Sequence, residues 1–482
     1  MKLRVAALAA VLSLVALACG QKPGVHARAM SEGQAGIPGA GVGVGTGAVL
    51  DPTTGQYVDP TTGQVVDATT GAPVSGTTTT GGTATTTTGG AGGGGSSSSN
   101  APTGPGDRTG IYKDKIVIGL HAPVNGAAPV QSKSFETGRD LYWRYGNNGK
   151  PVRVFGKRVE VSFRDDEYNP STATQRCKQM AEGNPRAFLL IGGAGTDQIH
   201  ACAKYAHGGG IPYLSAGVVQ NNLASFPNYF ALSMTYYQQG KLLGNYIKQN
   251  RNNGNWKCDG ACDKVALVIT NTANFDDAIN GFREAYGNNF TLIRPGKRHH
   301  GFDYASRLCT ATTKNFDVVY PLTSPTFFLE MMGDPSASCN PQYVGVGISM
   351  GLDTVASTGC KSSRSAMNGS IFFSPAPAFT RASGSLPYGK KDPVFNRYGR
   401  DDIHWLLWGL MKHIHQMFEK AGPDMSRQSF MSKLSTSRIK ADVFPALRYS
   451  QSNHFGASSA WILRAVCEGS GGYYITVGKV GS

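Results

Sequence analysis

Five residues carry the sharpest chemical signal in this chain. Gly347-Ile348-Ser349-Met350-Gly351 matches G-x-S-x-G directly after a short apolar run. A nucleophile elbow of a serine hydrolase belongs at such a place. His207-Gly208-Gly209-Gly210 has the form of an oxyanion loop, and Asp442 and His454 follow Ser349 in the order Ser, Asp, His. Together they define an esterase reading with Ser349 as nucleophile. Two features oppose it. The three glycines lie far upstream, where a helix must stop before the apolar run 211–214, which is ordinary work for Gly. The segment 352–360 is a weak beginning for the helix that an elbow requires.

Asp165-Asp166-Glu167 offers by residue type a metal site or an acid pair. The other reactive groups point to structure. Arg298-His299-His300 stands apart from other ligand types. His413 and His415 are two residues apart, so they leave a helix on different sides and cannot share a metal. Ile403, Leu407, Leu410, Met411, Ile414 and Met417 in that helix form an apolar stripe, which reads as core. Cys258 and Cys262 in CDGAC lack the further Cys or His that a zinc site uses. Neither a metal nor a cofactor is expected, and no catalytic residue.

The elements that must position these groups alternate between strand and helix from Ile111 onward. Strands are predicted at 115–119, 159–163, 188–191, 211–214, 265–270, 316–320 and 343–346. Helices are predicted at 135–145, 171–181, 196–207, 275–286 and 326–332. Asn169-Pro170 marks a helix start. Such alternation implies an α/β fold with parallel sheets covered on both faces, and ligands of such sheets lie at the carboxyl ends of the strands.

The first 110 residues have another character. Lys2 and Arg4 precede the apolar stretch Val5–Leu17, too short to span a membrane stably. Ala16-Leu17-Ala18-Cys19 resembles a bacterial lipobox, so residues 1–19 are expected to be a lipoprotein signal peptide with Cys19 lipidated. Residues 20–110 contain three octads, DPTTGQYV, DPTTGQVV and DATTGAPV, then Thr-, Gly- and Ser-rich runs. Chain of this kind buries too little surface to offset its ordering entropy and is expected to form a disordered tether.

The order of the later segments resembles the extracellular solute-binding proteins of branched-chain amino-acid/amide ABC transporters, the type I periplasmic binding proteins. The resemblance rests on IVIGLHAPVNG (116–126), Thr137-Gly138, NNGKPVRVFGKRVEV (147–161), DDEYNP (165–170), FLLIGGAGT (188–196), GIPYLSAG (210–217), FPNYFAL (226–232) and KVALVITNTANFDDA (264–278). It implies two doubly wound parallel-sheet lobes joined by three hinge crossings, with ligand between them. In this family an acidic pair stands at the place of Asp165-Asp166-Glu167 as a strand-end feature. Lobe one would comprise 111–232 and 374–446, and lobe two 233–373 and 447–482.

Within that implied fold the eight cysteines beyond Cys19, which alone allow 105 pairings, sort into Cys177–Cys202, Cys258–Cys262, Cys309–Cys339 and Cys360–Cys467. The start of the helix at Gly195-Thr196 offers a hydrogen-bond cradle for a polar head, and Ser215 and Gly217 end the next strand beside it. By resemblance Gln131 and Ser132 approach from the first loop. Phe275, Tyr320, Thr323 and the 347–349 loop with Ser349 close from lobe two, and Ile403, His404 and Trp405 border the entrance. Amino-acid-binding members present an acid near 347–349, and here there is none. Asp197 adds negative charge beside the cradle. A small, apolar or aromatic organic molecule is therefore expected as ligand in preference to an unmodified branched-chain amino acid.

The implied partner is an ABC transporter membrane permease, the location extracytoplasmic and lipid-anchored to the cell membrane, the state monomeric. A sensory ligand-binding lipoprotein without transport is the alternative within binding proteins. The formal charge is +15. Lys2 and Arg4 are offset by the excess of Glu32, Asp51, Asp59, Asp67 and Asp107 over Lys22, Arg28 and Arg108, so all of it rests on residues 111–482. Outside the cytoplasm this charge suits anionic cell-wall polymer or lipid head groups, not nucleic acid.

Overall fold

The computed structural model describes residues 49–50, 57–58, 106–126, 130–215, 223–252, 254, 256–258, 262–297, 299–309, 316–337, 339–379 and 393–481. Cys19, the signal peptide, most of the tether and Gly217 lie outside the described residues. The chain divides into two units, residues 1–94 and 95–482. In the first, Val49–Leu50 and Tyr57–Val58 pair antiparallel around residues 51–56 of the first octad.

In the second unit the chain first builds a six-stranded sheet. The strand β1 (Lys115–Ala122) is followed by helices α1 (Ser132–Gly138) and α2 (Leu141–Gly149). A hairpin of β2 (Arg153–Val154) and β3 (Lys157–Asp165) comes next, then α3 (Pro170–Glu182), β4 (Leu189–Gly192), α4 (Thr196–Gly208), β5 (Tyr213–Ser215) and β6 (Tyr229–Ala231). The order is β2-β3-β1-β4-β5-β6, parallel throughout except at β2. Ile116–Ile118 and Leu189–Ile191 are fully buried, because helices cover both faces of a parallel sheet.

The second sheet grows from α5 (Tyr236–Asn250), β7 (Val265–Ile269), α6 (Asp276–Tyr286), β8 (Thr291–Ile293), α7 (Phe302–Leu308), β9 (Val318–Leu322), α8 (Pro325–Gly333), β10 (Gln342–Val346), α9 (Asp353–Ser362), α10 (Arg364–Met367) and β11 (Ile371–Ser374). The chain then returns to the first sheet with α11 (Pro393–Tyr398), α12 (Asp402–Ala421) and α13 (Arg427–Leu434). Buried Arg427 ties α13 to that sheet through the carbonyls of Ala187 and Phe188. After the short pair β12 (Arg438–Ile439) and β13 (Leu447–Arg448), the hairpin β14 (Ser459–Glu468) and β15 (Gly471–Gly481) completes the order β8-β7-β9-β10-β11-β14-β15.

Local chemistry explains the starts of the helices. Asn169 accepts from Ser171 and Thr172 at the head of α3, with Pro170 at its first position. Thr235 and Gln238 form a reciprocal capping box on α5. Asp401 caps α12 by accepting from the His404 amide.

Three expectations are corrected. The helix expected at 135–145 is two helices, because Gly138 lies so close to α12 that a Cβ there would stand 2.7 Å from the His404 ring. The second sheet is not wholly parallel: β14 is antiparallel to β11, and β15 to β14. Only Gly469-Ser470 separate β14 from β15, and a turn that short permits no parallel pairing. The last crossing, expected near Phe444-Pro445, comes later. Tyr449 still donates to the Ala231 carbonyl and Phe455 still bridges Ala231, while Ser459 opens β14.

Four disulfides join Cys177–Cys202, Cys258–Cys262, Cys309–Cys339 and Cys360–Cys467. The last closes a loop with a sequence separation of 107, and loop entropy then favours the folded state by about 4–5 kcal/mol. Replacing Cys360 and Cys467 by Ser is expected to lower unfolding free energy by that order in urea titration, more than the same change at Cys258 and Cys262. Equal losses at the two sites would contradict it.

Candidate ligand cleft

The carboxyl ends of the first sheet are held by a buried acid. Asp166, at 0% exposure, meets His121 Nδ1 at 2.7 Å, and His121 Nε2 meets the Tyr213 hydroxyl at 2.8 Å. A neutral imidazole satisfies both contacts, donating from Nδ1 to the carboxylate and accepting at Nε2 from the phenol. Burial, with Tyr229 and Asp166 nearby, pushes the Tyr213 phenol up, so it keeps its proton and can donate. Asp165 organises the neighbouring loop by accepting from the Val124 and Glu167 amides and the Asn125 side chain. These are the strand-end roles expected of 165–167.

The chain beside this group is forced to be glycine. A Cβ at Gly192 would lie 2.3 Å from the Tyr213 hydroxyl. Gly195, at φ +81°, then turns the backbone into α4 with no side chain capping the helix. Next to this turn lies an apolar cavity of about 50 Å3. From the first lobe it is lined by Val130, Phe135, Gly193 and Ala194, by Ile403, Leu406, Leu407 and Leu410 of α12, and by Phe444. From the second lobe it is lined by Ile348, Ser349 and Leu352. No lining residue is charged, and Ser349 carries the lining's one polar side chain. An apolar cavity of ~150 Å3 takes a benzene ring, so a ring-sized guest requires these walls to shift.

The two lobes also meet through polar contacts around the cavity. Asp197 in the first turn of α4 accepts from Thr272 Oγ1 at 3.3 Å and Asn274 Nδ2 at 2.5 Å, and pairs with Lys297. The Thr196 hydroxyl meets the Tyr236 hydroxyl at 3.1 Å, and Tyr236 packs edge-on against Phe275. Asp402, at the start of α12, accepts from the Asp353 amide that begins α9, at 2.6 Å.

The sequence-derived site residues fall into three groups. Ser349 lines the cavity, and Gly195 and Thr196 follow directly on its wall. Gln131 is exposed at the head of α1 and accepts from Ser134, Ser132 bonds Glu136, and Phe275 lies on the lobe contact. The others are built into packing: Ser215 and Tyr320 are fully buried, Thr323 bonds the Ser324 carbonyl, and Trp405 packs on Phe395. His404 accepts from the Arg400 amide at Nδ1 and meets Thr137 Oγ1 at Nε2. Sequence reasoning missed Val130, Phe135, Leu352, Leu406 and Phe444. It read Leu407 and Leu410 as core, yet these face the cavity, while Met411, Ile414 and Met417 are buried; Ile403, read as part of that stripe and by resemblance as bordering the entrance, lines the cavity. The apolar stripe of α12 was the available signal.

The groups of the esterase reading are engaged separately. His207 stacks on Phe226 and bonds Asn228, while Gly208 and Gly209 close α4. His454 bonds Ser435 and stacks on Phe230, and Asp442 pairs with Lys412. His299 bonds Tyr304, His413 the Pro445 carbonyl and His415 the Tyr142 hydroxyl. Among the described residues, His121, Cys177 and Cys202 form a group close enough to share a metal, but the two sulfurs are joined to each other.

Two measurements test the lobe contacts. Asp197→Ala removes an acceptor of three donors and is expected to open the protein, raising its radius of gyration in solution scattering; an unchanged curve would refute this latch. Burial raises the Asp402 carboxyl to about 6, against smaller opposing effects of amide hydrogen bonds. The folded protein therefore holds this proton more tightly than the unfolded chain. That contribution is full below about pH 4 and is lost as pH rises to about 6. Asp402→Asn should be more stable than the parent above pH 6 by on the order of 2–3 kcal/mol, with a flatter profile between. Identical profiles in urea titration would exclude this role for Asp402.

Comparison with known proteins agrees with this architecture. Among solved structures, a solute-binding protein of an ABC transporter from Rhodopseudomonas palustris BisB5 in complex with 3,4-dihydroxybenzoic acid superposes with a TM-score of 0.60 at 17% identity, covering 77% of this chain and 98% of the other. A fatty acid ABC transporter substrate-binding protein from Thermomonospora curvata gives 0.59 at 14% identity, covering 79% and 95%. A possible leucine/isoleucine/valine-binding protein from Rhodopirellula baltica SH 1 gives 0.58 at 14%, covering 77% and 98%. At such identities these likenesses show the fold. No curated protein matches the sequence. The family model described as periplasmic binding protein matches residues 115–472, and with two α/β lobes enclosing a cleft at the carboxyl ends of their strands, this chain belongs to the type I, leucine-binding-like periplasmic binding proteins.

Proposed function

We propose that this protein captures a small organic molecule with an apolar or aromatic body between its two lobes and delivers it to the membrane permease of an ABC transporter. The observation that carries the reading is the cavity wall of Phe135, Ile348, Leu352, Leu407, Leu410 and Phe444, which carries no charge. Such a wall gains by burying apolar surface, at about 25 cal/mol per Å2. It offers nothing to the ammonium group of an amino acid. A single polar head on the ligand would be received by Ser349 and by the amides at Gly195 and Thr196, where the uncapped start of α4 favours negative charge. Gln131 and Ser132 at the head of α1, and Phe275 on the opposing lobe, would border the mouth.

Structural neighbours, one described in complex with 3,4-dihydroxybenzoic acid and one as a fatty acid ABC transporter substrate-binding protein, support a guest of this class. Ligand contacts on both lobes would favour the closed form over the open one, and the closed form would dock on the permease. Export and attachment of Cys19 to the membrane by lipid complete the proposal. Among the described residues no helix is long and apolar enough to cross a membrane.

Calorimetry with benzoate, octanoate and leucine tests the ligand class, alongside mass spectrometry of whatever co-purifies from the host. Binding of an aromatic or acyl compound is expected, with none of leucine. Leu406→Arg, at a half-buried wall position, is expected to weaken that binding at least ~100-fold by leaving a charge in the apolar wall, with thermal melting to check that the fold is kept. Tight leucine binding, or a ligand indifferent to Leu406→Arg, would exclude the proposal.

A further inference from the structure

The tip of the hairpin β2–β3 is locally unfavourable in three independent ways. Phe155, the first residue of its turn, adopts φ +50°, in the left-handed region that a bulky side chain rarely occupies. The same Phe155 is 40% exposed, among the most exposed large apolar residues described. Below the turn Arg153 stands directly opposite Arg158, and like charges so paired across strands destabilise each other. Strain, exposed aromatic surface and like-charge repulsion on one short hairpin mark a surface shaped for a partner.

The surroundings define that partner. Lys113, Lys115, Lys150, Arg153, Lys157 and Arg158 gather here against Asp114 and Glu160. Arg158 pairs with Asp114 and Lys115 with Glu160. Lys113, Lys150 and Arg153 are exposed and have no carboxylate partner among the described residues. Lys157 donates to the carbonyls of Tyr112 and Lys113, which pins the hairpin to the point where the chain enters the α/β body from its N-terminal segment. The tip lies at the amino ends of β1 and β3. The ligand cavity lies at the carboxyl ends of the same sheet, so the eight residues of β1 separate the two by about 25 Å.

We infer that this hairpin tip is a membrane-contact site: Phe155 enters the head-group region of an anionic lipid bilayer while Lys113, Lys150 and Arg153 meet the lipid phosphates. An aromatic side chain flanked by Lys and Arg suits the bilayer interface, where the ring is buried and the cations stay at head-group level. Each cation at an anionic surface contributes about 1 kcal/mol. Contact at this pole leaves the cleft at the opposite end of the sheet accessible.

Co-sedimentation of residues 20–482 with vesicles tests the site. Starting at Gly20 removes Val5–Leu17 and Cys19, so that neither the signal peptide nor acylation plays a part. Vesicles of phosphatidylglycerol with phosphatidylcholine are compared with phosphatidylcholine alone. Binding to the anionic vesicles alone is expected. Lys150→Ala with Arg153→Ala should weaken it about 5-fold for each cation removed. Phe155→Ala, at an exposed position, should weaken it several-fold without altering thermal stability. Arg438→Ala with Lys440→Ala, an equal charge change at exposed positions on another element, should leave it unchanged. Absence of binding, equal weakening by the Arg438/Lys440 pair, or insensitivity to Phe155→Ala would overturn the inference. The last result, with polyphosphate binding lost in the Lys150/Arg153 variant, would assign the patch to a soluble anionic polymer instead.

Discussion

The cleft depends on a carboxylate with no access to water. Asp166 directly follows β3 inside the first lobe and is tolerable there because His121 and the Tyr168 amide meet its two oxygens. His121 belongs to β1, and its other nitrogen reaches Tyr213 of β5, so one chain of hydrogen bonds spans the sheet at its carboxyl edge. Removing any member would leave a buried polar group unmatched, a larger loss than the bond itself is worth. The Cys177–Cys202 disulfide lies within reach of the same imidazole and fastens α3 to α4 beside it. Rigidity concentrated here sets where Gly192 to Thr196 run, and therefore where the cavity wall and the start of α4 stand.

Around that fixed edge the lobes are joined by softer contacts. Asp197 is shared among three donors of the second lobe, and Asp402 accepts from the first amide of α9. These polar links surround an interior that is apolar on both sides. The division suits a protein whose lobes must separate and rejoin. Partly exposed ion pairs are weak and readily exchanged for water, whereas under the proposed function the apolar wall would supply affinity once a guest fills it. Specificity would then come from what the wall omits, since a charged group brought into it would lose its hydration without finding a partner.

Much of the fold was legible in order and spacing. The buried runs at 116–122 and 265–269 are near-continuously apolar, and Asn169-Pro170 and Gly208-Gly209 punctuate helices where their chemistry requires. The break at Arg139-Asp140 was not legible, because it arises from the approach of Gly138 to a helix more than two hundred residues later. The C-terminal hairpin was likewise hidden, since an apolar run does not declare the direction of its neighbour. In the cleft, the expected 347–349 loop and Ile403 do line the wall, but most of the wall was not legible. Leu406, Leu407 and Leu410 look like any buried helix stripe, and an apolar residue that faces a cavity has the same composition signal as one that faces a core.

The sequence by itself determined the class of fold, the change of character at residue 111, the grouping of net charge on the body and the residue types available at strand ends. Those are properties of periodicity and composition, which survive without coordinates. Only the tertiary structure decided which polar groups are spent on one another and which face open space. His404, Ser215 and Tyr320 are eligible by chemistry for a ligand, and the fold buries all three, with His404 already bonded to Thr137 and the Arg400 amide. Asp197 looked like an obstacle to an anion, yet Lys297 of the other lobe pairs with it. Such assignments depend on partners far away in the chain, and a one-dimensional pattern records the group but not its partner.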